Sequence, residues 1–248
     1  MSIPITCNDA IINPAKGRKS PDIGPVAVMV SSESDLYPLR SLMNLPEDNF
    51  KKLMMSRVYV GDESNAGISL TGPVISAPYA VMLLESLIAW GAQKIIYFGW
   101  CGSISHDIRI GDIIVPTGAI IDEGTSKHYC ADEKEITKPS QVIVEKTKHA
   151  LKQNSLPFHE GTIWTMDAIY RETREKVEYY QSENVSGVEM ELSALFTVGK
   201  FRNAELGGIL VVSDELASFT WQPGFSNEQF IQARAGVAEV IASMALGS

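Results

Sequence analysis

Short apolar runs that alternate with helical periodicity constrain this chain more than any other feature. Pro25–Val30, Ile68–Thr71, Lys94–Gly99, Ile110–Thr117, Gly161–Met166, Val185–Val188 and Leu206–Val212 read as strands. Pro78–Trp90, Gln141–Lys152, Arg171–Gln181, Leu192–Phe201 and Asn227–Met244 read as helices. In the first of these, Val81, Leu84, Leu87 and Ile88 recur at helical spacing, and Gly91 stands where the helix must stop. Ser140 is placed to cap the second. Apolar strands need cover on both faces. The order therefore implies an α/β fold, a single domain with a mixed, mostly parallel central sheet flanked by helices on both faces. Residues 1–24, broken by Pro4, Pro14, Gly17, Pro21 and Gly24, read as an N-terminal arm, and 25–248 as the domain.

With 248 residues, 45% of them hydrophobic, the chain can bury one large core. A formal net charge of -9 repels nucleic acid and anionic lipid, so neither is an expected partner. Cys7, Cys101 and Cys130 are too few and too scattered for a disulfide framework or a zinc site. A reducing cytoplasm is the expected compartment, and no metal is expected. Met1–Ser20 holds no long apolar run, so no signal peptide is expected. No stretch approaches the roughly 20 apolar residues of a membrane span.

Polar motifs gather just past the strands: Gly99-Trp100-Cys101-Gly102, Thr165-Met166-Asp167, Glu189-Met190-Glu191 and Ser213-Asp214. In sheets of this class ligands sit beyond the carboxyl ends of strands. Two acids there can hold a sugar and draw on a leaving base. Taken singly, Glu189 and Glu191 read equally well as solvated loop charges, and Asp214 as a helix cap.

From about Val26 onward the chain resembles the nucleoside phosphorylase family, in its hexameric purine nucleoside and uridine phosphorylase branch. Ile95–Ser103, Ile110–Val115, Val188-Glu189-Met190-Glu191 and Val212-Ser213-Asp214 carry the resemblance, in the family's order. It implies cleavage of a nucleoside's N-glycosidic bond, with inorganic phosphate as co-substrate, no cofactor and a homo-oligomer, a hexamer by family. It implies that Met190 lies under the ribose and Glu191 accepts from the 2′- and 3′-hydroxyls. Asp214 would face N7 of a purine, oriented by Ser213. Cys101, Gly102, Trp100 and Tyr170 would line the substrate pocket, Cys101 as an inert buried thiol. A free Asp has a pKa of ~3.9, so protonating the base through Asp214 requires a rise of about 3 units, or about 4 kcal/mol. Left ionised, Asp214 only holds a base already protonated.

The segment that should bind phosphate departs from the family. Ser31 and Asp35 occupy the positions of its loop glycine and arginine, Tyr97 that of a second arginine, and Trp100 that of a Thr or Ser contact. A buried phosphate without a positive partner costs several kcal/mol. Arg57 and Arg171 are candidate substitutes, and solvated arginines otherwise. Asp35 also resembles the position where methylthioadenosine nucleosidases hold the attacking water, and it reads equally as a helix cap. Three functions follow: phosphorolysis with a purine favoured over a pyrimidine, hydrolysis, and nucleoside binding without turnover.

Overall fold

Alternate residues of the central strands feed two separate apolar layers, so the sheet has no solvated face at its centre. The computed structural model describes residues 10–247 except 63, 64, 66 and 130–135. The readings at Cys7 and Cys130, and for the first nine residues of the arm, lie outside the described residues. Residues 10–24 form no helix or strand, yet Ile23 is fully buried in the core.

The elements in chain order are β1 (Val26–Val30), α1 (Glu33–Leu42), β2 (Phe50–Leu53), β3 (Ser56–Val60), β4 (Ile68–Gly72), α2 (Ala77–Trp90), β5 (Lys94–Ser103) and β6 (Ile113–Asp122). Then come β7 (Ile136–Thr137), α3 (Gln141–Gln153), β8 (His159–Met166), α4 (Arg174–Ser182), β9 (Gly187–Glu189), α5 (Leu192–Phe201), β10 (Glu205–Glu215), β11 (Gln222–Pro223) and α6 (Glu228–Leu246). They make a single α/β domain on one mixed sheet.

Strands β4, β1, β5 and β10 lie side by side in parallel. β10 also pairs antiparallel with β6, β6 parallel with β8, and β8 parallel with β9. β9 then returns antiparallel to β5 and closes a ring of these strands. The β2–β3 hairpin extends the sheet beyond β4. Ala27, Met29, Ile95 and Leu210 pack with Leu84 and Leu87 of α2 and Leu195 of α5. Val28, Val30, Ile96 and Ile209 face the other way, onto Leu36 of α1, Ile143 of α3 and Val237 of α6. This is the period of two expected of strands buried on both sides.

Several boundaries differ from those read in the sequence. β5 and β10 run on to Ser103 and Glu215, so Trp100–Gly102 and Ser213–Asp214 lie within strands and not past them. Their ladder continues through glycine and polar residues that apolar periodicity does not register. The helix expected from Arg171 starts at Arg174, where the Thr173 side chain accepts from the Lys176 N–H; Ile169–Arg171 is a separate 3-10 turn. Helix α1 carries Pro38 in its interior, which interrupts its apolar pattern, and its cap is Ser32 and not Asp35.

Asp35 instead ties three elements together. It is 4% exposed. Its Oδ1 accepts from Arg234 of α6, Nε at 2.9 Å and Nη2 at 2.6 Å, and its Oδ2 accepts from the Trp100 indole N–H at 2.7 Å. The Arg234 guanidinium lies over the Trp100 ring, 4.5 Å from its centroid. Removing one partner of a buried pair strands the other charge. Asp35→Ala is therefore expected to cost about 3 kcal/mol in urea unfolding. A loss below about 1 kcal/mol, the range of exposed pairs, would contradict this role.

Candidate active site

The end of β5 is held between two strands that each bring an acid. On one side β10 pairs with it, Val212 opposite Cys101 and Asp214 opposite Gly102. Ser213 is the extra residue of a bulge, a device that re-aims the side chain after it. The Asp214 carboxylate consequently lies over Gly102, where an added Cβ would come 3.0 Å from Oδ2 and 2.5 Å from Leu216 Cδ1. Ser213 Oγ donates to Asp214 Oδ1 at 2.6 Å, and the Trp221 indole N–H donates to Oδ2 at 2.9 Å.

On the other side β9 pairs with β5, Val188 opposite Gly102. Its last residue, Glu189, accepts from the backbone N–H groups of Glu191 and Leu192, both at 2.8 Å, at the start of α5. The Thr165 hydroxyl of β8 donates to its other oxygen and accepts from the Ser193 N–H at 3.0 Å. A buried acid at a helix N-terminus meets unpaired donors and a favourable dipole. That lock fixes Glu191, whose Oε1 accepts from the Ser76 N–H at 2.5 Å and Oε2 from the Tyr97 hydroxyl at 3.0 Å.

Both glutamates are nearly buried, and burial pushes both carboxyls upward. Glu189 rises further because Glu191 repels its charge. One proton shared by the pair is thereby favoured over two charges. Burial, with Glu191 and Glu189 adding to it, raises the Tyr97 hydroxyl well above its ordinary value, so it stays a donor. Burial, and after it the Asp214 and Glu189 charges, raises the Cys101 thiol likewise, which makes it a packing group.

A cavity of about 580 Å³ opens over this strand end. That falls in the range of small-molecule sites. Glu191, Met190, Asp214, Ser213, Cys101, Gly102, Trp100 and Tyr170 all line it, so the substrate residues read from the sequence come together in one hollow. Tyr170 stands at its mouth, 96% exposed. Glu189, Glu172, Trp221 and Phe225 line it too, and the sequence reading assigned none of them to the pocket. Trp221 and Phe225 sit in the irregular stretch between β10 and α6, where two aromatics four residues apart beside Pro223 and Gly224 were the available signal.

The residues read as a nucleophile site do not line the cavity. The Ser31 side chain hydrogen-bonds Tyr97, and Asp35 is held by Arg234 and Trp100. Arg57 lies on β3 beside Glu33 and hydrogen-bonds the Tyr37 hydroxyl. The described lining holds four carboxyls and no lysine, arginine or histidine. No set of three or more His, Cys, Asp or Glu among the described residues is arranged to hold a metal ion. No helix among them is long and apolar enough to cross a membrane.

Residues 25–246 match a family described as the phosphorylase superfamily. The chain belongs to the phosphorylase superfamily. Among superfamily relatives, a guanosine phosphorylase of Halorubrum lacusprofundi is 31% identical over 157 residues, 63% of this chain and 64% of that protein. The chain thus spans just under two thirds of that relative's length. A uridine phosphorylase of Treponema pallidum is 27% identical over 210 residues, 79% of this chain and 80% of that protein. The crystal structure of a uridine phosphorylase from Vibrio fischeri overlays with a TM-score of 0.77 at 24% identity, covering 90% of this chain and 91% of that one. That overlay speaks to the shared phosphorylase fold.

Gly102 offers a test of the geometry in which the sign decides. Gly→Ala at an open site stabilises by about 0.4–1 kcal/mol through the unfolded chain. At Gly102 the new methyl would press on Asp214 and Leu216. Gly102→Ala is expected to destabilise by about 1–3 kcal/mol in chemical denaturation. A stability gain would show that Asp214 does not lie against that strand.

Proposed function

We propose that this superfamily member cleaves the N-glycosidic bond of a nucleoside by phosphorolysis, releasing the free base and ribose 1-phosphate, with a purine preferred over a pyrimidine. The opening of Glu191 and Asp214 into one cavity, from opposite sides of β5, is the observation that supports it. In this reading the pentose lies over Met190 and its hydroxyls donate to Glu191. The base lies at the other end, against Trp221, Phe225 and Tyr170, with its nitrogen edge at Asp214. Cleavage develops positive charge on the sugar. The carboxyls of Glu189, Glu191 and Asp214 in the lining supply acceptors and net negative charge for that state.

The same field opposes a phosphate nucleophile, and nothing cationic in the described lining offsets it. Family resemblance supports a homo-oligomer, a hexamer in its branch, in which a neighbouring copy's Arg57 would supply the missing charge. On this chain that side chain is 40% exposed. Inorganic phosphate is then the co-substrate and no cofactor is used. A reducing, cytoplasmic setting suits the free thiol of Cys101. A described lining whose charged residues are all acids also favours a second reading, hydrolysis, because water needs no cation.

A panel of guanosine, inosine, adenosine and uridine, incubated with and without phosphate, tests the reading. Phosphate-dependent release of base together with ribose 1-phosphate is expected. Free ribose formed equally without phosphate would establish the hydrolytic reading, and release from none of the four would remove both. Glu191→Gln is expected to raise KM for ribosides by at least tenfold and to shrink the preference for ribosides over 2′-deoxyribosides. An unchanged preference would take Glu191 away from the sugar.

A further inference from the structure

Two acids face the base end of the cavity, and their surroundings differ. Asp214 is an acceptor at both oxygens, from Ser213 Oγ and from the Trp221 indole, which can only donate. Glu172 follows the Ile169–Arg171 turn and precedes α4. It is half-buried and lines the same cavity as Asp214. Its carboxyl has no hydrogen-bond or ion-pair partner among the described residues. One acid is thus locked as an acceptor, and the other waits in an aromatic-walled hollow with its proton uncommitted.

We propose that Glu172, and not Asp214, delivers the proton to the departing base, while Asp214 holds that base as an acceptor. The inference rests on the glycosidic cleavage proposed above. The C1′–N bond breaks and its electron pair passes to the heterocycle. A nitrogen of the heterocycle takes the proton from the Glu172 carboxyl, and a phosphate oxygen bonds to C1′. Glu172 is left as a carboxylate and regains its proton from solvent through its exposed side before the next turnover.

The charge around Glu172 suits this role. The titratable groups sharing the cavity with it are Asp214 on β10, Cys101 on β5, Glu189 on β9, Glu191 at the start of α5 and Tyr170 beside it in the chain. None is a cation. Burial first, and the Asp214 charge second, raise the Glu172 carboxyl to about 7. An acid poised near the working pH is the efficient kind of proton donor. Sequence reading passed over Glu172 because it merged into the charged helix expected from Arg171.

Paired substrates separate proton delivery from structural damage. Guanosine needs a proton on its leaving base, whereas 7-methylguanosine carries its positive charge already and leaves as a neutral base. For Glu172→Gln, kcat/KM on guanosine is expected to fall about 100-fold, the lower end of general acid help. The loss on 7-methylguanosine is expected to be at least tenfold smaller than that. The unaltered protein gives a second measurement. Its kcat/KM on guanosine should decline as pH rises through about 7, where Glu172 loses its proton, and in Glu172→Gln that decline should be absent. Equal losses on both substrates in the variant, or a pH decline on guanosine that persists in the variant, would overturn the proposal. So would a larger guanosine-selective loss in Asp214→Asn. If the unaltered protein cleaves neither purine riboside, this inference falls, and a parallel assay with uridine decides whether the reading beneath it falls too.

Discussion

The last four residues of β5, Trp100–Ser103, are the hinge on which this site is built. β10 pairs with all four on one edge and β9 with the last two on the other, with Asp214 and Val188 both in register with Gly102. Neighbouring strands lie about 4.8 Å apart, so the two flanking strands stand about 10 Å from each other across β5. That spacing leaves room for a small molecule between the acids that β9 and β10 bring. The ring closed by β5, β10, β6, β8 and β9 makes the spacing rigid, because none of the five has a free edge along which to slip. Glycine at 102 lets Asp214 and Leu216 lie close over the strand, since an added Cβ would come 3.0 Å from Asp214 Oδ2 and 2.5 Å from Leu216 Cδ1.

Tyr97, at the position where family resemblance places an arginine, donates to Glu191, and Trp100, where it places a Thr or Ser, donates to Asp35. Arg234 is present but turned away, paired with Asp35 and stacked on the outer face of Trp100. It therefore stiffens the cavity wall and does not charge the cavity. Burial and then the Glu191 charge raise the Glu189 carboxyl, and burial and then the Asp214 charge raise that of Glu172.

Much of this was legible in the sequence, for identifiable reasons. The apolar runs of β1, β5 and β10 are buried on both faces, so their cores are continuous hydrophobic text. Glu191 and Asp214 stood out because a carboxylate at the end of such a run has no packing purpose. Other features were hidden by the same logic. The β2 strand, Phe50–Leu53, is exposed along most of its length and shows no alternation. Helix α1 carries Pro38 in its middle. The Ser213 bulge breaks the period of two just where the site begins. Arg234 matters through a partner far away in sequence, being 199 residues from Asp35, and no local pattern announces such a pair.

In the function proposed above, one hollow holds a sugar at Glu191 and a heterocycle at Asp214. A crystal structure of the protein soaked with inosine and sulfate examines it directly. Pentose hydroxyls within hydrogen-bond distance of Glu191, and a base nitrogen within that distance of Asp214, are the expected result. A nucleoside seated elsewhere, or one in this cavity with its base toward Glu191, would contradict the claim.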